Sequence, residues 1–200
     1  MTYVTLVRHG ETEWNRALRV QGTTDIPLND TGRAQALQAA VALRGALGEG
    51  PVFLASSDLS RARETAEIIG SELGLEGPRQ YPGLRERAYG EGEGLTAAEF
   101  AERWGPWHSA DVPGSENRDD LRERAVRGLL EVVEHSRAES SPAAIPVIIV
   151  SHGALIREVI RHATGGLLPP DGSRLANGSQ WHFLVERDRL RFLADDLVFA

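Results

Sequence analysis

The chain has 200 residues, 41% of them apolar and 26% charged, which excludes a disordered segment and fits one domain with a sizeable core. A net charge of −7 argues against a nucleic-acid partner held by its phosphates, and no apolar run is long enough to span a bilayer. With no cysteine, the chain has no disulfide, no thiolate metal site and no cysteine nucleophile. Met1 to Leu6 lacks the basic and apolar regions of a signal peptide, so a cytoplasmic setting and no membrane partner are expected. All 22 cations are Arg, so any phosphate grip must be guanidinium, which binds oxyanions through two parallel hydrogen bonds.

Tyr3 to Val7 reads as a buried strand that delivers Arg8-His9-Gly10. Leu28 to Gly32 is a turn with candidate N-caps, after which Ala34, Leu37, Val41 and Ala42 fall at helical spacing as far as Leu47. Gly48 and Gly50 stop that helix. Val52 to Ala55 is a second short strand. Ser56-Ser57-Asp58 then offers N-caps for a helix to about Leu73, ended by Gly74. Arg79 to Arg118 is irregular and rich in Gly and Pro, with a short helix at Thr96 to Trp104. Arg118 to about Arg137 is a long amphipathic helix carrying Leu121, Ala125, Leu129, Val132 and Val133. Glu139 to Pro142 reads as a loop, Ile145 to Val150 as the most apolar strand, and Gly153 to Ala163 as the helix after it. Gly165 to Gly178 is a polar loop. Gln180 to Val185 and Leu190 to Phe199 read as strands of a hairpin turning at Arg187-Asp188. Strands alternate with helices, which predicts an α/β three-layer sandwich with a mostly parallel central sheet flanked by helices. One domain over residues 1–200 is expected, with a small insertion at about 90–118.

Strand one ends in Arg8-His9-Gly10, and strand two in Ser56-Ser57-Asp58 with Arg61 opening its helix. The Ile145 to Val150 strand ends in Ser151-His152-Gly153. If the three strands are parallel, one sheet edge holds two His, two Arg and at least two helix N-termini, a setting suited to an anion. Taken singly, each piece has a plainer reading. Ser151-His152-Gly153 would be a turn and cap, Arg8 a surface cation, and Arg61 a solvated partner of Glu64 or Glu67. Taken together they point to a bound phosphate beside a reactive imidazole.

Leu6 to Asn15, Gly22 to Asn29, Ser56 to Ala66, Leu84-Arg85-Glu86 and Ser151-His152-Gly153 together resemble, in order, the signature segments of the histidine phosphatase superfamily, the phosphoglycerate mutase-like proteins. The resemblance implies that His9 is the nucleophile and becomes phosphohistidine. It implies that Arg8, Arg61 and a protonated His152 hold the phosphoryl oxygens, with Asn15, Gln21, the Gly22-Thr23 backbone and Gly153 beside them. Glu86, in a partly apolar pocket, would protonate the leaving oxygen and then activate water. Arg87 and Tyr89 stand where the mutases contact substrate. No metal and no cofactor are implied, except a 2,3-bisphosphoglycerate primer in a mutase. The partner is a small phosphorylated metabolite, and a homodimer is compatible with the sequence.

Phosphatase, a phosphoric monoester hydrolase of the histidine acid phosphatase type, is preferred to phosphoglycerate mutase. The family's His between Arg87 and Tyr89 is Ala88 here, no Lys is present, and the segment between Gly90 and Ser151 is short for a mutase. Tyr89 to Gly94 has the frame that the phosphatases use, with Gly92 in place of their second aromatic. Two other readings are a divalent-metal hydrolase built on His9 and His152 and a catalytically silent phosphate sensor. His108, His135, His162 and His182 read as surface or core residues, Trp104 and Trp107 as packing of the insertion in preference to lining a substrate pocket, and Asp111 to Asp120 as a solvated loop and helix start.

Overall fold

The computed structural model describes residues 1–48, 50–105, 110–187 and 189–193. The apolar segments form one six-stranded sheet: β1 (Thr2–Arg8), β2 (Phe53–Ser56), β3 (Arg79–Gln80), β4 (Val147–Ser151), β5 (Gln180–Val185) and β6 (Leu190–Leu193). Their order is β3-β2-β4-β1-β5-β6. β3, β2, β4 and β1 run parallel, and β5 and β6 add an antiparallel hairpin. All five residues of β4 are buried, as expected for a strand covered on both faces.

Side-chain alternation divides the core. Val7, Leu54, Ile148 and Val150 meet α2 (Asp30–Leu47) and α3 (Ser60–Leu73). Val4, Leu6, Val147 and Ile149 meet α5 (Arg118–Ser140) and α6 (Gly153–Ala163) on the other face. The predicted residues of α5 are all buried. Those of α2 are not: Ala34, Leu37, Val41 and Ala42 lie on its exposed side, with Val41 68% exposed. The helix turns Ala36, Ala39, Ala40 and Leu43 inward, where small residues face Ala62 and Ala66 of α3 and allow close approach. Hydrophobicity alone picked the wrong stripe because the contact is built from alanine.

Smaller differences have local causes. α3 has Leu59 as its N-cap, not Ser56, Ser57 or Asp58. Asp25 supplies the missing acceptor instead, taking hydrogen bonds from Ser60 N–H at 2.8 Å and Ser60 Oγ at 2.7 Å, while Asp58 pairs with Arg85. α5 continues through Glu139 and Ser140, so the following loop begins later than expected. β3 is two exposed polar residues and carries no apolar signal. The β5–β6 hairpin closes through Glu186 N–H to Arg189 C=O at 2.9 Å; Asp188 and residues 194–199 of the expected strand lie outside the described residues. Among the described residues no helix is long and apolar enough to cross a membrane.

The insertion carries α4 (Ala97–Trp104), whose Thr96 and Glu99 form a capping box. It builds a small third core from Val20, Phe100 and Val112, with Tyr89, Trp104 and Ala110 against it. A short helix, α1 (Glu13–Arg16), follows β1.

The loop leaving β1 packs on the start of α2 backbone to backbone. A Cβ on Gly10 would stand 2.2 Å from the Gly32 carbonyl oxygen, and one on Gly32 would stand 2.1 Å from that of Glu11. Gly10→Ala and Gly32→Ala should each lower unfolding free energy by about 1–3 kcal/mol, because a backbone neighbour cannot step aside. Gly45→Ala, in open space within α2, should instead raise it by roughly 0.5–1 kcal/mol. Chemical denaturation of the three variants checks both signs.

Candidate active site

The parallel register sets Arg8 beside Ser151 and Ser56 beside Val150, so the three strand ends share one rim. His9 follows β1, is 2% exposed, and is tied to β4 by its N–H to the Ser151 carbonyl at 2.9 Å. Its Nδ1 lies 2.7 Å from the Gly10 carbonyl oxygen. A carbonyl only accepts, so Nδ1 carries the proton and Nε2 keeps its lone pair. His152 follows β4, is fully buried, and meets His9 edge to face with ring centroids 5.1 Å apart. Among the described residues neither His152 nitrogen has a hydrogen-bond partner.

Arg61 is a fully buried residue of α3, not a solvated partner of Glu64 or Glu67, which pair with Arg33 and Arg63. Its two terminal nitrogens donate to Gly22 C=O at 2.7 Å and Thr24 C=O at 2.9 Å. Arg8 donates to the Leu175 carbonyl and lies against Gly153, where a Cβ would come within 3.3 Å of its Nε. The Nε atoms of Arg8 and Arg61 are buried without a partner among the described residues. Both guanidiniums therefore keep donors available for an oxyanion.

Glu86 caps α6 across space. Its carboxylate accepts from the N–H groups of Ala154 at 3.1 Å, Leu155 at 3.2 Å and Arg87 at 2.9 Å. The expected partly apolar pocket is thus a polar one. Glu86 also lies close enough to Arg8 and Arg61 for its charge to act on both.

Burial, then the charges of Arg61 and Arg8, push the His9 pKa well below the usual histidine range. His152 moves the same way through burial, then Arg61, His9 and Arg8. These shifts favour a neutral imidazole at His152, with one N–H to offer, over the protonated one expected from the sequence. Burial also lowers the Arg8 pKa to about 10, which leaves it charged near neutrality.

The remaining expected site residues divide between direct and supporting positions. Asn15 Oδ1 accepts from Thr12 N–H at 3.2 Å and Asn177 Nδ2 at 3.3 Å. Gln21 is buried, with its side-chain oxygen accepting from Thr12 Oγ1 at 2.9 Å. Thr23 does not present a free N–H, because Glu93 accepts it at 2.9 Å, and Gly22 contributes its carbonyl to Arg61. Arg87 lies over the Tyr89 ring, 5.0 Å from its centroid, and donates to Glu116 C=O. Burial and the nearby Glu86 charge push the Tyr89 phenol pKa up.

Three supporting residues escape sequence reasoning. Glu93 accepts from the N–H groups of Thr23, Thr24 and Tyr89 and from both Thr hydroxyls, and these bonds hold its pKa down against the opposing effect of burial. Asn177 donates to His9 C=O at 2.9 Å, and Asp25 caps α3. Each lies in a Gly- or polar-rich loop, where only the folded contacts reveal a role. Glu116, within the stretch expected to be solvated, is a partly buried partner of Arg124. His135 meets Tyr81, exposed His162 lies on α6, and His182 meets Thr5, all away from the site. Trp104 packs on Phe100. Trp107 and His108 lie outside the described residues. Among the described residues no three His, Asp or Glu side chains gather as metal donors.

Residues 4–194 match the sequence model of the histidine phosphatase superfamily, branch 1. The chain is 34% identical over 193 residues to a Bacillus subtilis protein named uncharacterized phosphatase PhoE, covering 96% of this chain and 93% of that one. It is 35% identical over 173 residues to the metal-independent phosphoserine phosphatase of Arabidopsis thaliana, covering 82% of this chain and 69% of that one. The solved structure of mycobacterial glucosyl-3-phosphoglycerate phosphatase with VO3 superposes with a TM-score of 0.78 at 30% identity, covering 96% of this chain and 97% of that one.

Both site imidazoles are neutral when folded, whereas an unfolded histidine titrates near about pH 6.5. Below that pH the unfolded chain binds more protons than the folded one. Stability is thus complete above about pH 6.5 and declines as pH falls towards the depressed folded-state pKa values. Thermal unfolding in phosphate-free buffer should show the decline, and His152→Gln should flatten it. An unchanged slope in that variant counts against a neutral His152.

Proposed function

We propose, on the premise that this chain belongs to the histidine phosphatase superfamily (branch 1), that it is a metal-independent phosphomonoesterase acting on a small phosphorylated metabolite. His9 Nε2 attacks phosphorus, the P–O ester bond breaks, and Glu86, entering the step as the carboxylic acid, gives its proton to the leaving oxygen and becomes the carboxylate. Water then attacks the phosphohistidine, passes a proton to the Glu86 carboxylate, and the P–N bond breaks to release orthophosphate. Arg8, Arg61 and the N–H of His152 face the equatorial oxygens, and Asn15 stands beside them.

One observation carries this reading: the buried His9 ring, fixed by Nδ1–H to the Gly10 carbonyl and kept neutral beside two arginines. An imidazole attacks only when neutral, and the charge that holds it so also receives the phosphoryl group. The arginines supply the fixed positive partners that a metal ion supplies in other phosphohydrolases. Water is favoured over an organic acceptor by Ala88, by the absence of Lys, and by relatives named as phosphatases. At Gly92 the buried Phe100 ring leaves no room for a side chain, standing 2.9 Å from where a Cβ would begin.

His9→Ala should lose roughly 1,000-fold or more in kcat together with acid-labile phosphate labelling. Glu86→Gln should slow alkyl phosphates by about 100-fold or more and p-nitrophenyl phosphate far less, since that leaving group needs little protonation. Equal slowing of both, or a labelled His9→Ala protein, contradicts the assignment. Phosphoglycerate interconversion that depends on a bisphosphoglycerate primer would establish the mutase instead. The vanadate complex of the mycobacterial relative motivates vanadate as an inhibitor probe here.

A further inference from the structure

The segment that carries Glu86 has little regular structure of its own. A single 3-10 turn, Pro82–Leu84, is followed by irregular backbone to Ala88. Backbone carbonyls in such a stretch need partners from elsewhere. Leu84 C=O accepts from Ser151 Oγ at 2.8 Å, which ties one carbonyl to β4. Three more go to one side chain. Arg124, on α5, donates from Nη1 to the carbonyls of Gly83 at 3.0 Å and Arg85 at 2.8 Å, and from Nη2 to that of Glu86 at 3.2 Å. The helix lies close enough for this reach, since a Cβ on Gly128 of α5 would stand 3.0 Å from the Gly83 carbonyl oxygen.

The same guanidinium is gripped from its other edge. Glu116, just before the Asn117 cap of α5, accepts Nε–H on Oε1 at 2.8 Å and Nη2–H on Oε2 at 2.7 Å. Both side chains are largely covered, 22% and 18% exposed. All five N–H donors of the guanidinium are then in use, and a fork of this kind fixes orientation as well as distance. Glu116 also holds the segment by its backbone, giving its N–H to Ala88 C=O at 2.9 Å and accepting from Arg87 Nε at 2.8 Å. Glu86 is thus held twice. The N-terminus of α6 takes its carboxylate, and Arg124 takes the backbone on which it stands. A general acid works only within hydrogen-bond reach of the leaving oxygen, and a misplacement of about 1 Å costs on the order of 100-fold.

We propose that Arg124, braced by Glu116, is a positioning residue that sets the Glu86 carboxyl at the leaving oxygen. This rests on the phosphomonoesterase reading above, in which Glu86 is the acid. With every donor committed, Arg124 acts through Glu86 and makes no bond to the phosphoryl group. Lysine cannot replace it, because three N–H donors on one nitrogen do not span a carboxylate and three carbonyls. The charge of Arg124 also reaches His152. R124K keeps that charge and loses the fork, so it separates the two effects.

Phenyl phosphate and p-nitrophenyl phosphate, esters of like shape that differ in leaving group, test it through kcat/KM, which reports the step that breaks the ester. R124Q and R124K should lose about tenfold or more on phenyl phosphate and less than about threefold on p-nitrophenyl phosphate, with acid-labile labelling retained. E86Q/R124Q should be no slower on phenyl phosphate than E86Q, since a residue that acts through Glu86 then has nothing further to lose. R127Q, on the exposed side of α5, should match the wild type on both esters. E116Q keeps the guanidinium and should lower the phenyl-to-nitrophenyl ratio by about threefold, which decides the matter if R124Q does not fold. Equal slowing of the two esters, additive losses in E86Q/R124Q, or wild-type rates in R124K overturn the positioning role. If E86Q itself slows both esters equally, the acid reading of Glu86 fails. If E86Q discriminates between them and R124Q does not, the positioning role fails alone.

Discussion

A guanidinium with no exposed surface and, among the described residues, no carboxylate in contact is the constraint from which the rest of this site follows. An unpaired buried charge costs several kcal/mol, so Arg61 must be met by dipoles. The chain meets it with the carbonyls of Gly22 and Thr24, which obliges the loop to turn carbonyls inward and amides outward. Gly22, at φ +60°, allows that reversal, and Glu93 collects the outward amides of Thr23 and Thr24. The next residue, Asp25, caps the helix on which Arg61 stands. One short loop therefore fixes both the head of Arg61 and the helix beneath it.

The same charge sets the chemistry. Burial, together with Arg61 and Arg8, favours the neutral form of both His9 and His152. On the proposed mechanism an arriving phosphate offsets the two cations, and its oxygens meet donors already in place, so little reorganisation accompanies binding. Glu86 is positioned by an independent device, the N-terminus of α6, whose second and third N–H groups it satisfies. On the proposed mechanism, helix capping and proton transfer thus fall to one carboxylate, which ties the acid to the helix that begins after His152.

Strand ends were legible because the chemistry follows apolar runs: Val4 to Val7 leads to His9, and Ile148 to Val150 leads to His152. A parallel sheet necessarily brings such ends together. The inward face of α2 was not legible, since Leu37 and Val41 outweigh Ala36, Ala39 and Ala40 on any hydrophobicity scale, while close helix packing selects the smaller residues. Nor were Glu93, Asp25 and Asn177, whose partners lie far away in sequence, at Thr24, Ser60 and His9. Protonation states were only half legible. The cations beside His9 could be read from the chain, but burial, the larger cause, exists only in the fold.

On the proposed reading, the expected insertion keeps substrate choice apart from bond-breaking. The reacting groups stand on the two large cores that sandwich the sheet, whereas Val20, Phe100 and Val112 make a third core with Tyr89 packed on it. Within that third core Phe100 of α4 fills the space next to Gly92. Exchange there has one fixed limit. Glu93 binds Tyr89 on the insertion side and Thr23 and Thr24 on the Arg61 side, so a rearrangement that displaced its carboxylate would release the loop that satisfies the buried guanidinium. The insertion can vary in the side chains it presents to substrate only while that carboxylate stays where it is.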